Sequence, residues 1–218
     1  MRNGLTIEVV LSAWRASSPL HAGMQEGAAA EQLDETELML RRALPTSFRA
    51  VYEFSNGIGA VGSNTVFDSL DELATPAESQ ADRLREEGWP LPEELVVFGG
   101  DGSDGLFGLW LPEGSDGRGS APVIEIGEIF EEGCMDVAGT GIVPFLAART
   151  AYYLRVCERV SDTTPALDAL GVSAELRAAP PDDELFAAIY DWADPELPRP
   201  PDPYKALLTG DDLRSMLT

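Results

Sequence analysis

The sequence predicts an α+β fold, with a mostly antiparallel sheet flanked by helices and a helical C-terminal extension. Three observations carry it. Apolar residues recur at helical spacing through Leu38, Leu40, Leu44, Phe48, Val51, Tyr52 and Phe54. Short β-branched or aromatic runs then follow one another at Leu95–Phe98, Leu106–Leu111 and Pro122–Ile126, joined by Gly- and Asp-rich turns. Helical spacing returns over 143–160, with Phe145, Leu146, Tyr152, Tyr153 and Val156 apolar. Strands that succeed one another without a long crossover pair as hairpins, which makes the sheet an antiparallel meander.

Each element has its own warrant. A short amphipathic stretch from Thr6 to Trp14 predicts a first helix, and the small-residue run from Ala16 to Ala30 predicts a flexible connection. Two helices are expected over 34–43 and 46–54. Pro45 falls between them because its ring suits a first helical turn and not a helix interior. Asn56-Gly57 stops the second helix, since both residues tolerate positive φ. Val66-Phe67 reads as a short strand, 70–73 as an acid-started helical turn, and 77–87 as a polar helix broken by Trp89-Pro90. Beyond Ser161 the composition shifts to 12 acidic and 4 basic residues, a net of −8, with proline clustered at 180–181 and 198–203. Within that tail, 185–192 is a strongly apolar helix candidate and 211–217 a short capped one, so the tail is expected to fold against the domain. The resulting division is 1–33 for the N-terminal helix and connection, 34–160 for the α+β domain, and 161–218 for the acidic extension.

Composition bounds the function. The 218 residues hold 38 Asp+Glu against 15 Lys+Arg, a formal charge of −23. Attraction to a phosphate backbone needs a basic face, and anionic membranes repel such a chain, so nucleic acid and membrane partners are excluded. A macromolecular partner, if there is one, is basic. Acidity also serves solubility alone. Lys205 is the only lysine, an arginine skew that reads as GC-rich codon usage. With 44% hydrophobic residues, wholesale disorder is not expected. The N-terminal apolar stretch is short and interrupted by Glu8, and no run approaches a membrane span, which gives a cytoplasmic expectation. Cys134 and Cys157 stand in no metal-ligand spacing and read as two reduced thiols.

Catalytic chemistry finds little purchase. His21 is the only histidine, so Ser-His-Asp, Cys-His and Cys/His zinc sites all meet one bottleneck. Gly57-Ile58-Gly59-Ala60-Val61-Gly62 matches a dinucleotide-binding string but follows a helix where that fold needs a strand. No GxxxxGK[ST] phosphate loop occurs. Asp101-Gly102-Ser103-Asp104-Gly105 looks like a calcium loop, yet the twelfth position, where a bidentate Glu belongs, is Pro112. Short-spaced carboxylates such as Glu125/Glu128 arise by chance among 38 acids. No enzyme, cofactor or metal is expected; a hydrolase using metal-bound carboxylates alone is the residual enzymatic reading.

From Glu37 to Gly57 the chain resembles the opening of the SUKH superfamily, related to the yeast Smi/Knr cell-wall regulator. That opening is an acid-started helix, an "LG-x-x-LP" step, an aromatic-spaced helix and a terminal "NG", carried here by Leu44, Pro45, Phe54, Asn56 and Gly57. The 70–73 segment, the 95–99 strand, the 101–105 turn, the 122–126 strand and Pro144-Phe145-Leu146 follow in the family's order, covering about 34–155. Arg41 departs from the pattern, standing where the family has glycine. The resemblance implies the α+β fold and a non-enzymatic role. Bacterial members look like immunity proteins that bind and neutralise a cognate toxin; fungal relatives serve as scaffolds.

Two functions are therefore carried. One is an immunity protein that occludes a basic toxin domain through carboxylates at Asp68, Asp71, Glu72, Asp101, Asp104, Glu125 and Glu128, which steer a basic partner. The other is an intracellular scaffold of the same fold that uses the extension, with its apolar 186–192 helix. Trp110 is expected in the core, whereas Trp89 and Trp192 are candidates for exposed anchors, since tryptophan is favoured at binding hot spots.

Overall fold

A computed structural model describes residues 4–17, 24–58, 66–74, 84–86, 88, 91–101, 105–117, 119–127, 134–156, 162–197 and 208–217. His21, Gly59 to Gly62, most of the 77–87 helix, Trp89, Asp104, Glu128 and Cys157 lie outside them.

Thr6 caps the first helix, α1 (Ile7–Ala16), its hydroxyl accepting from the Val9 amide. Ile7, Val10, Leu11 and Trp14 fall on one stripe and are buried. Helix α2 (Ala30–Leu40) begins four residues before the expected start at 34 and ends before the expected 43. Residues 24–29 are not a slack connection: the Ala28 amide donates to the Tyr52 carbonyl at 2.8 Å and Met24 bridges Ile58. Helix α3 (Thr46–Phe54) starts at Pro45, whose carbonyl accepts from Phe48 and Arg49. Strand β1 (Val66–Phe67) and helix α4 (Leu70–Ala74) follow.

The sheet adds β2 (Leu95–Gly100), β3 (Leu106–Trp110), β4 (Val123–Gly127) and β5 (Cys134–Gly139), in spatial order β1-β2-β3-β4-β5 with every pair antiparallel. This is the meander the turns predicted, with one strand more. β5 escaped the sequence reading because Asp136, Ala138 and Gly139 have poor strand propensity; only its alternation marks it. Gly99, at φ +152°, has no room for a side chain, since a Cβ there would lie 1.9 Å from the Val66 carbonyl oxygen.

Alternation gives the sheet two apolar faces. On one, Phe98 and Phe107 pack with Phe48, Tyr52, Phe67 and Phe145, ring centroids 4.9–6.5 Å apart. Helix α5 (Ile142–Val156) crosses this face, and α1 packs on α5 and on α6 (Thr164–Leu170). Trp14 Nε1 donates to the buried Thr150 hydroxyl at 2.9 Å, tying α1 to α5. On the other face, Leu95, Val97, Trp110, Ile124, Ile126, Met135 and Val137 are covered by Leu213 of the last helix, α9 (Gly210–Leu217). Trp110 is thus a core residue, as expected, on the face away from most helices.

The extension folds against the domain. After α7 (Ala174–Ala178), helix α8 (Asp183–Ala193) buries Leu185 and Ile189 against α5. Trp192 is not an exposed anchor but half-buried against the main core. Asp194 is buried, and its carboxylate accepts from the Thr140 amide at 2.7 Å and the Thr140 hydroxyl at 2.8 Å. Arg214 of α9 pairs in a fork with Glu94, at 2.6 and 2.9 Å. Both outer strands are also flanked: Ile58 bridges Phe67 of β1, and Leu208 bridges Met135 of β5.

Candidate functional site

The motif residues act through the backbone. Arg41 has φ 55° and ψ 32°, and among the described residues it alone holds positive φ without being glycine. Its amide donates to the Leu38 carbonyl and the Arg42 amide to the Glu37 carbonyl, the Schellman pattern that ends a helix in a left-handed residue. Glu37 then spans the turn, one carboxylate oxygen accepting from the Leu44 amide at 2.7 Å and the other pairing with Arg49 at 2.7 Å. Leu44 is buried under this clamp. Asn56 and Gly57 divide their labour: Gly57 takes the positive φ, +97°, while Asn56 Oδ1 accepts from the Leu70 amide at 2.9 Å and starts α4. Phe54 is half-buried, 6.1 Å from Trp14, with the Arg15 guanidinium 4.9 Å above its ring.

The candidate partner-binding carboxylates separate into two groups. Asp68, Asp71 and Glu72 stand where β1 passes into α4. The Asp68 amide continues the ladder to the Phe98 carbonyl, and its own carbonyl accepts from the Tyr52 hydroxyl at 3.0 Å. Burial, with Glu72 beside it, pushes the Asp68 carboxyl up to about 6. Glu72 accepts from the Ser69 amide and hydroxyl, so it serves α4 as a cap. Asp71 is exposed.

Asp101, just past the end of β2, and Glu125, on β4, make the second group. Glu125 opposes Phe107 on one side and Asp136 on the other. Burial raises the Glu125 carboxyl and the Arg149 guanidinium lowers it, while Asp101 and Asp136 add to the rise; the net direction is upward. Burial likewise raises Asp136, a carboxylate the sequence reading missed together with β5. The Asp101 carboxylate also closes the β2–β3 turn by accepting from the Gly105 amide at 3.2 Å. Three strand spacings, about 14 Å, separate β1 from β4, and the Phe98–Phe107 stack fills the interval.

Arg149 lies over Phe107 at 4.8 Å and interacts with Tyr190 of α8, whose hydroxyl is pushed up by burial. Tyr190 and Tyr152 in turn flank Phe186, at 4.5 and 5.1 Å. Arg149 therefore links the second acidic group to an aromatic cluster on α5 and α8, in which Tyr190 is buried, Tyr152 half-buried and Phe186 exposed. Alternate polar positions on β4 and β5 could have announced the acids; nothing in the sequence announces their meeting with Phe186. Among the described residues no group of His, Cys, Asp and Glu is arranged to hold a metal ion, and no helix is long and apolar enough to cross a membrane.

A model of the SMI1 / KNR4 family (SUKH-1) matches residues 27–138, just over half of the chain, from the approach to α2 through β5. No curated protein matches the chain.

Proposed function

Because the chain belongs to the SMI1 / KNR4 family (SUKH-1), we propose that it is a non-enzymatic protein-binding module, an immunity protein that neutralises a cognate toxin by covering it in the cytoplasm. The family match over 27–138 is the observation that carries this reading. The charge supports it in direction: an excess of carboxylates steers a basic partner and raises its association rate. The carboxylates offered to such a partner are Asp68, Asp71, Glu72, Asp101 and Glu125, with Asp104 and Glu128 beyond the described residues.

Neutralisation needs no chemistry from this chain. Steric cover over a toxin's working surface suffices. The test is co-expression with the product of an adjacent toxin-like gene. Growth protection together with a co-purifying complex is expected; a toxin that still kills and forms no complex refutes the reading. A scaffold of the same fold would recruit its partner through the 186–192 helix, where Ile189 is buried against the domain and Phe186 stays exposed.

A further inference from the structure

We infer that the aromatic patch presented by Phe186 and Tyr152, backed from beneath by Tyr190, is the docking place of an arginine-bearing segment of the protein partner. This rests on the protein-binding reading above. Phe186 is 42% exposed and is the only exposed aromatic residue among those described. Half-buried Tyr152 meets it edge-on at 5.1 Å and buried Tyr190 lies 4.5 Å away, so Phe186 is the exposed member of an aromatic cluster that spans α5 and α8.

Exposed carboxylates border these rings at the start of α8. Asp182 and Asp183, at the start of α8, are exposed one turn before Phe186. On the inner side the Arg149 guanidinium bonds the Tyr190 hydroxyl and acts on Glu125, with Asp136 opposite Glu125 on β5. Rings flanked by carboxylates fit a guanidinium better than an ammonium, because a planar cation can stack on a ring while forking to an acid. The fold already uses this combination once: Arg149 lies over Phe107 while its charge steadies Glu125. A net charge of −23 adds long-range complementarity to a cationic segment.

Position argues for the same place. Tyr152, Phe186 and Tyr190 all fall outside the 27–138 match, whereas Glu125 and Asp136 fall inside it. The surface thus joins the matched sheet to α5 and α8, which lie beyond the matched residues. The other exposed apolar pair, Leu38 at 78% and Met39 at 57%, has Asp34 and Glu35 one turn before it and Arg41 and Arg42 after it, a balanced setting with no pull towards a basic segment.

The experiment is a titration of the 15N-labelled full chain, followed by amide shifts, with a short Gly/Ser peptide carrying two arginines. Companion peptides carry lysine or the neutral isostere citrulline. Salt is held at about 0.15 M, where screening beyond about 8 Å removes diffuse attraction. Shifts clustered on 125, 136, 152 and 183–190 are expected. The citrulline peptide should lose the effect, and Phe186→Ala or Asp183→Asn should each weaken the arginine peptide about fivefold. Leu38→Ala should leave it unchanged. Shifts scattered over all acidic surfaces, equal binding of citrulline, or indifference to Phe186→Ala with an unaltered circular dichroism spectrum would overturn the assignment. The peptide needs no toxin, so the two readings fail separately. Failed co-expression with intact peptide binding removes the toxin, and protection that survives while the peptide result fails removes this surface.

Discussion

Replacing Arg41 by glycine should stabilise the protein. Arg41 holds φ 55° and ψ 32° to complete the turn between α2 and α3. An L-residue in this region costs roughly 1–2 kcal/mol from the approach of Cβ to the backbone carbonyl. Glycine removes that cost but adds about 0.5–1 kcal/mol of unfolded-chain entropy. The Arg41 side chain is exposed, so little packing is lost. The net gain is about 0.5–1 kcal/mol, which for a chain of this length raises Tm by about 1–4 °C. Thermal denaturation followed by circular dichroism reads it, with Arg41→Ala and Arg41→Asn alongside. The expected order is glycine above asparagine, and asparagine above alanine and wild type, because asparagine tolerates the left-handed region. If alanine stabilises as much as glycine, the gain comes from deleting charge and the conformational argument fails.

Asp68→Asn tests the raised carboxyl. Its folded value, about 6, lies above the ordinary 3.8, so the native state holds this proton more tightly than the unfolded chain. Stability is then full below about pH 4, declines as the pH rises to 6, and stays lower above. With partial exposure discounted, the decline is about 1–2 kcal/mol. The variant should melt higher than wild type at pH 7.5 and equally at pH 4; a constant offset across the range refutes the assignment. Asn56→Ala leaves the Leu70 amide without its acceptor and should cost about 1–2 kcal/mol in urea unfolding. Asp194→Ala strips two donors of Thr140 of a charged acceptor, for a loss of about 2–4 kcal/mol. A loss below about 0.5 kcal/mol would show that the turn before α5 holds without it.

The central strands were legible because Leu95–Phe98, Leu106–Trp110 and Val123–Ile126 combine β-branched or aromatic content with glycine-rich turns. Pro45 and Gly57 marked helix ends for local reasons that act in any context. The end of α2 was less legible, since a sequence pattern cannot show that an arginine will take a glycine's conformation. Helices α6 and α7 went unread: each is short and draws its stability from packing on α1 and α8 rather than from its own propensity. The same limit applied to the candidate surface. Acid-rich composition announced an affinity for cations, but which carboxylates are desolvated, and which meet Phe186, depends on strand register and on a helix some sixty residues further along the chain.

The flanking of both outer strands has a consequence for colloidal behaviour. Exposed strand edges are templates on which like chains add, and an acidic protein loses its protective repulsion once a basic partner neutralises it. Here Ile58 bridges Phe67 on one outer strand and Leu208 bridges Met135 on the other. A complex that cancels the charge still meets a bridged residue on each outer strand, which interrupts the row of groups a like chain would pair with. Unpairing Leu208, by Leu208→Pro for instance, removes the amide that bonds Met135 and should leave a species that turns fibrous at acidic pH, where the carboxylates no longer keep copies apart.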